Sequence, residues 1–244
     1  MAETATSQDR ARMALQNIAF PKIQHVTLRD KVVEMLKEAF FSGTLKPGDP
    51  IVERQLSRQL KIGTPAIREA LFTLQEQGFV RRVVNTGTYV NKFTYDEVRQ
   101  MYLLRTELEL LALRWAKSRV TENDLLALEK AVEGIGEAAT PETAQLYYER
   151  DLAFHRQCWN LSGNKFLVHS LETMVIPVFA FVLAYSRATV TPHGAREHFQ
   201  IVNALRHLQE PEFSAVIRNT LSGFALRGIS SMGQAKERTI KSNP

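Results

Sequence analysis

Cysteine is almost absent from this chain of 244 residues, Cys158 being the only one. It has no partner for an internal disulfide, which excludes a disulfide-stapled secreted fold and points to a reducing compartment. Cys158 falls on a helical, mostly apolar segment and reads as a plain core residue. A long hydrophobic run is missing too: the longest, Met174 to Tyr185, spans 12 residues and contains Pro177, short of the ~20 needed to cross a bilayer. The first 22 residues are polar and mixed in charge, without the apolar stretch of an export signal. A soluble, cytoplasmic protein with no membrane partner is expected. Alternating β patterns are scarce after residue 92, which leaves helices to build the C-terminal part.

The charge that is present is unevenly placed. Residues 1–94 hold 14 Lys+Arg against 9 Asp+Glu, whereas residues 95–244 hold 17 of each, so the whole net charge of +5 sits in the N-terminal part. Lys and Arg neutralise phosphates in sequence-independent DNA binding, so this asymmetry fits a DNA partner. Five charges also lie within ordinary scatter, and charge alone does not decide the matter. With 44% hydrophobic residues, the length suits two modest domains.

Gly63 to Val80, GTPAIREALFTLQEQGFV, carries the most information. Thr64 offers a capping hydroxyl and Pro65 suits a first helical turn. Ile67, Ala70, Leu71 and Leu74 form one apolar stripe, leaving Thr64, Ala66, Arg68 and Thr73 nearer the free side. Gly78 ends the helix as a left-handed cap, and Phe79 to Val84 turns at Asn85-Thr86-Gly87 to return as Thr88-Tyr89-Val90, a short hairpin. Upstream, Pro50 to Leu60 reads as a shorter helix with Val52, Leu56 and Leu60 buried, joined through Lys61-Ile62-Gly63. Leu28 to Phe41 is a third helix, with Leu28, Val32, Met35, Leu36, Ala39 and Phe40 at helical spacing. Three helices and a hairpin make a winged helix-turn-helix. From Tyr95 onward the pattern is helical throughout: Tyr95 to Arg119, a helix opened by Thr121 with Asp124 three residues on, cap-plus-proline starts at Thr140-Pro141 and Thr191-Pro192, and a last helix after Glu210-Pro211. The expected fold is mainly α, a winged helix-turn-helix followed by an α-helical bundle.

On the residues Gly43 to Gly48, Glu53-Arg54-Gln55-Leu56, Arg68-Glu69-Ala70-Leu71 and Gly78-Phe79-Val80, the N-terminal part resembles the DNA-binding domain of the GntR family of bacterial regulators. Arg105 to Glu109, Asp151 to His155 and Ser162-Gly163-Asn164 resemble the all-helical effector (FCD) domain of its FadR-like branch. The resemblance implies a flexible tail over 1–22, a DNA-binding domain over 23–93, an effector-binding and dimerisation domain over 94–235 and a C-terminal tail over 236–244. It implies operator contacts from Arg54 and Arg68, as base readout or phosphate pairing. Thr64 stands where the family usually has an arginine, so base readout differs from that of commoner members. The other reading of Arg68 is a salt bridge, beside Glu69 on its own helix or between domains. In the wing, Arg81, Arg82, Thr86, Gly87 and Thr88 are candidate backbone or minor-groove contacts, or parts of a solvated turn.

Asp151 and His155, four residues apart on one helix, lie about 6 Å apart at Cβ and can converge on one ligand. The resemblance adds His198 as a metal ligand, and places the family's usual fourth ligand, a histidine, on Thr220. Asp151, His155 and His198 then hold one divalent ion (Zn, Ni or Mn) with water or an effector carboxylate completing the shell, or form a metal-free polar network. The resemblance also makes Arg105 an anchor for a small carboxylate effector; a salt bridge to Glu109 competes with that role. Tyr147, Tyr148, Tyr185 and Arg187 are placed near the cavity by pattern, and His169, His193 and His207 match no motif. The family acts as a homodimer on double-stranded operator DNA with two-fold symmetry. A metal-dependent hydrolase built on Asp151, His155 and His198 is the competing enzymatic reading, without a general-base glutamate in a His-Glu-x-x-His motif to support it. An effector-free DNA-binding protein is the third. No enzyme is expected.

Overall fold

The computed structural model describes residues 27–140, 142–186 and 191–241. Helix α1 (Leu28–Phe41) starts at a capping box in which the Thr27 hydroxyl accepts from the Asp30 amide and the Asp30 carboxylate accepts from Thr27. Its buried side is Val32, Val33, Leu36 and Phe40, while Leu28 and Met35 are about half exposed. Pro50 and Ile51 are not helical as expected. They form strand β1 (Pro50–Ile51), paired with Tyr89 and Thr88 of the wing. Sheet pairing buries Ile51 and strands Val52 in solvent as the cap of α2 (Glu53–Leu60), against the expectation that Val52 would be buried. Lys61, in the left-handed region at φ 53°, ends α2.

Helix α3 (Thr64–Glu76) is capped by Gly63. Thr64 is already its first helical residue, so its hydroxyl caps nothing, while Pro65 sits in the first turn where its missing N–H costs no bond. Ile67, Ala70, Leu71 and Leu74 are buried as their spacing requires. Gly78 adopts φ +76°, and strands β2 (Val80–Val83) and β3 (Gly87–Val90) form the wing, giving an antiparallel sheet of order β1-β3-β2. Phe79 stacks on Phe40 at 5.5 Å, joining the wing to the helical core.

The remainder is helical: α4 (Tyr95–Lys117), α5 (Glu122–Glu137), α6 (Ala144–Leu161), α7 (Lys165–Ser186), α8 (Pro192–Arg196), α9 (Phe199–His207) and α10 (Glu212–Lys241). Capping boxes Thr94/Glu97 and Thr121/Asp124 start α4 and α5. Helix α6 begins at Ala144 and not at Thr140: the Thr143 hydroxyl donates to the Ala138 carbonyl, 2.7 Å away, which closes the α5–α6 turn instead of capping. Cys158 is buried with Phe154, Trp159, Leu171, Ile201 and Phe213 in the core of this body. Over Lys165–Leu183, α7 is as long and apolar as a membrane span, although its single apolar run is short. Its faces are used inside the protein: Val175, Phe179 and Leu183 enter the helical core, whereas Ile176 and Ala180 pack against the core of the winged module. Pro177 lies against Gly78, where an added Cβ would sit 3.2 Å from the proline ring. One helix therefore touches both parts of the chain.

Candidate functional site

The short linker Lys61-Ile62-Gly63 sets α3 beside α2, and this places Arg68 across from Glu53. The Arg68 Nε–H donates to Glu53 Oε2 at 2.7 Å. The partner is thus on the preceding helix and is not Glu69. Only one of five guanidinium donors is used in that bond, and the Arg68 side chain is 68% exposed. Arg54, Arg81, Arg82, Thr86 and Gly87 are exposed; Thr64 and Thr88 are half-buried. Arg82 faces Thr88 across the β2–β3 pair and Arg81 lies 5.6 Å from the Tyr89 ring. Arg54, Arg81 and Arg82 make no ion pair among the described residues.

In the helical body, α6 supplies Asp151 and His155 one turn apart, α4 supplies Arg105 and Glu109 one turn apart, and the turn before α9 supplies His198. All five side chains are buried. The metal-ligating atoms of Asp151, His155 and His198 lie within 4.8 Å of one another. Glu109 is the hub: one oxygen accepts from Arg105 Nε, the other stands 2.7 Å from His155 Nδ1. A carboxylate has no proton to give, so Nδ1 carries the hydrogen and His155 Nε2 holds a lone pair. Arg105 Nη2, 3.1 Å away, donates to it.

His198 repeats the pattern. Its Nδ1 donates to the Ala195 carbonyl at 2.9 Å, which fixes the ring with Nε2 facing the cage. That atom is buried 2.9 Å from Asp151 Oδ1 and has no hydrogen-bond partner of acceptable geometry among the described residues. With the two imidazoles left out of the count, Arg105 stands against two carboxylates, Glu109 and Asp151. Burial raises the Asp151 carboxyl, but the neighbouring histidines and Arg105 outweigh it and hold it below the usual range. Glu109 is likewise held far below despite burial, by Arg105 and His155. Burial, aided by Arg105, keeps His155 below the ordinary histidine value against the pull of Glu109.

Rings wall the cage. Phe179 lies under the Arg105 guanidinium at 4.7 Å, and Phe224 stacks on His198 at 4.4 Å. Thr220, one turn before Phe224 on α10, has its hydroxyl 2.9 Å from both Gln200 Oε1 and the Val216 carbonyl. Tyr148 touches the site through Phe179, ring centroids 6.3 Å apart. The competing role of Arg105 is therefore seen directly, since it is salt-bridged to Glu109 and still reaches His155. Arg187 and the side chain of Tyr185 lie outside the described residues.

The pattern that defines the gntR family of bacterial regulatory proteins matches residues 28–90, and that of the FCD domain matches residues 100–223, just over half of the chain. The chain belongs to the GntR family. Among its relatives, the HTH-type transcriptional regulator YdhC of Bacillus subtilis is 29% identical over 173 residues, covering 70% of this chain and 77% of YdhC. The HTH-type transcriptional regulator McbR of Escherichia coli is 24% identical over 220 residues, covering 89% and 98%. The solved McbR/YncC structure superposes with a TM-score of 0.69 at 22% identity, over 86% of this chain and 99% of that one. A GntR regulator from Rhodococcus sp. RHA1 gives 0.66 at 19%, over 84% and 97%. This GntR protein is a transcription regulator and not an enzyme.

Sequence reading gives no role to Glu53, Phe179, Phe224 or Gln200. Glu53 stands 15 positions from Arg68, and Phe179 and Phe224 are apolar residues within helices, so no spacing rule singles them out. Glu109 appears there as the end of the Arg105 to Glu109 motif and as a salt-bridge partner of Arg105. Its second bond, to His155, joins positions 46 residues apart and follows from the packing of α4 on α6.

Proposed function

We propose that this GntR regulator, with residues 23–93 as the DNA-binding domain and 94–235 as the effector-binding and dimerisation domain, binds an inverted-repeat operator in the cytoplasm as a homodimer. Its operator affinity is set by a small organic acid taken up at the Asp151/His155/His198 cage. The observation that carries the ligand reading is the orphaned Nε2 of His198, buried 2.9 Å from Asp151 Oδ1 without a hydrogen bond. Such an atom costs free energy unless a partner meets it. The cage accepts one divalent ion, held by Asp151, His198 and His155, and the ion supplies a positive centre for the effector carboxylate. Thr220 in place of the fourth histidine leaves the shell open and the affinity lower. Arg105 competes with the ion for His155 Nε2, and its remaining donors suit a carboxylate.

The cavity bordering Arg105, Met174 and Phe179 measures about 10 Å³, room for about one water. A carboxylate at Arg105 therefore shifts Phe179. Its neighbours Ile176 and Ala180 pack on the winged module, so the shift biases that module's placement, a coupling of ~1–3 kcal/mol for systems of this kind. On DNA, Arg54 and Arg68 face the groove, with Arg81, Arg82, Thr86, Gly87 and Thr88 on flanking backbone or minor groove.

The test is selection of operator fragments from random duplexes, then binding titrations with a panel of small carboxylates, with and without Zn, Ni or Mn. Affinity for a selected fragment that changes at least fivefold with one acid supports the reading. Selective DNA binding indifferent to every acid and metal leaves a DNA-binding protein without an effector.

A further inference from the structure

The side chains of Asp151, His155 and His198 are only 11%, 1% and 1% exposed, so anything that reaches the cage must pass a wall that moves. Helices α4, α6, α7 and α10, each of 18 residues or more, supply most of that wall. The remaining side is α8, five residues long, with Glu197 as its C-cap and His198 next in the chain. A column of side chains runs from solvent to the cage there. The Arg227 guanidinium of α10, 43% exposed, lies 5.3 Å from the Phe224 ring. Phe224, half-buried, stacks on His198 at 4.4 Å and stands 5.9 Å from His155. Phe224 covers both histidines, and Arg227 covers Phe224.

Where α8 and α10 approach each other, both present glycine. A Cβ added at Gly194 would sit 3.8 Å from Arg227 Nε, and one added at Gly223 would sit 3.7 Å from Arg227 Nη1. The guanidinium therefore fills a gap between two bare stretches of backbone. Glu197 holds it there: Arg227 Nη1 donates to Oε1 at 3.1 Å and Nη2 donates to Oε2, a two-pronged pair. Tyr147 continues the line inward. Its hydroxyl lies 3.6 Å from the same Gly194 position, and it feels the charges of both Asp151 in the cage and Glu197 and Arg227 in the clasp.

We infer that the Arg227–Glu197 clasp is the door of the cage: when the pair parts, the guanidinium leaves its place between Gly194 and Gly223, and the way along Phe224 to His198 opens. The inference rests on the reading of the cage as a binding site in the proposed function, and it assigns control of entry to two residues outside the ligand set. An ion pair of this exposure adds little to global stability, so the door opens far more often than the protein unfolds. Arg218, earlier on α10, supplies a matched comparison. It makes a two-pronged pair with Glu107 at 2.9 Å, similarly exposed, but ties α10 to α4 and not to α8.

Carbethoxylation of histidines by diethyl pyrocarbonate tests it, followed residue by residue by mass spectrometry on the full chain without metal, DNA or effector. A buried ring reacts only while the door is open, so its rate follows the open population; the exposed His169 and His207 serve as references. In the unmodified protein His198 is expected to react far more slowly than either. Arg227→Met and Glu197→Gln are each expected to raise the His198 rate about fivefold, the scale on which such ion pairs act, and Arg218→Met to leave it unchanged. Arg227→Lys, which keeps the charge and one bond to Glu197, is expected to fall between. Should Arg227→Met misfold by circular dichroism, Glu197→Gln decides. An unmodified His198 as reactive as the references, a rate unmoved by the clasp variants, or an equal rise in Arg218→Met overturns the inference. None of these readouts needs a ligand, so a cage that takes up no acid or metal is told apart from a cage whose door lies elsewhere.

Discussion

Glu109 fixes which nitrogen of His155 faces the cage. Its Oε2 lies 2.7 Å from Nδ1 while its other oxygen holds Arg105, so one buried carboxylate neutralises a guanidinium and orients an imidazole. Removing it leaves Arg105 buried without its direct ion-pair partner. Glu109→Ala is expected to cost about 3–5 kcal/mol of stability, and Glu109→Gln less, since the amide oxygen still accepts one bond. Urea denaturation of the three proteins checks this, and a loss below about 1 kcal/mol for Glu109→Ala would mean that Arg105 finds another partner.

Acidification acts on the same network with a definite sign. In the folded protein His155 binds its proton less readily than at the ordinary value of 6.5, through burial and Arg105. As pH falls below 6.5 the unfolded chain takes up that proton first, so stability is full above this value and declines as pH drops toward the folded pKa. The midpoint of thermal unfolding is expected to fall between about pH 7 and pH 5.5, with a shallower slope for His155→Gln. An equal slope in both proteins would remove His155 from the explanation.

Operator contacts separate by salt dependence. Arg81→Ala or Arg82→Ala is expected to weaken binding similarly for all sequences and to reduce the salt slope by about 1. Arg68→Ala is expected to lose ~1–3 kcal/mol of discrimination if it reads a base. Glu53→Ala, which frees the Arg68 Nε–H, is expected to blunt sequence preference more than overall affinity. Anisotropy titrations on matched and mismatched duplexes at several salt concentrations measure both quantities.

Much of this was legible in the residues. The Ile67/Ala70/Leu71/Leu74 stripe, the Gly78 cap and the Thr121/Asp124 box are local signals, complete within a few residues, and the structure shows each of them. Local signals failed where a distant partner competed. Pro50 and Ile51 pair with the wing about 40 residues away, and Thr143 bonds back to Ala138, displacing the start expected at Thr140. In the cage, the four-residue spacing gave Asp151 and His155 on one face of α6. It could not give the Glu109–His155 bond or the Phe224–His198 stack, which exist only once helices pack. The partner of Arg68 was hidden for the same reason.

Thr220 offers a gain-of-function test. It sits on the face of α10 that carries Phe224 against His198, and its hydroxyl is engaged with Gln200 and Val216. Thr220→His is expected to add a fourth nitrogen ligand and tighten Zn or Ni binding at least tenfold, measured by competition with a chelator on protein made without a histidine tag. Asp151→Asn is expected to abolish uptake in either background.

The most direct test of the account is operator titration of Asp151→Ala beside the unmodified protein, with and without the organic acid and metal that shift the latter. The expected result is an unchanged affinity in the absence of ligand and a lost response in its presence, because the cage lies apart from Arg54, Arg68 and the wing. A full response from Asp151→Ala would contradict the placement of the sensing site, and a response absent from both proteins would contradict the ligand control itself.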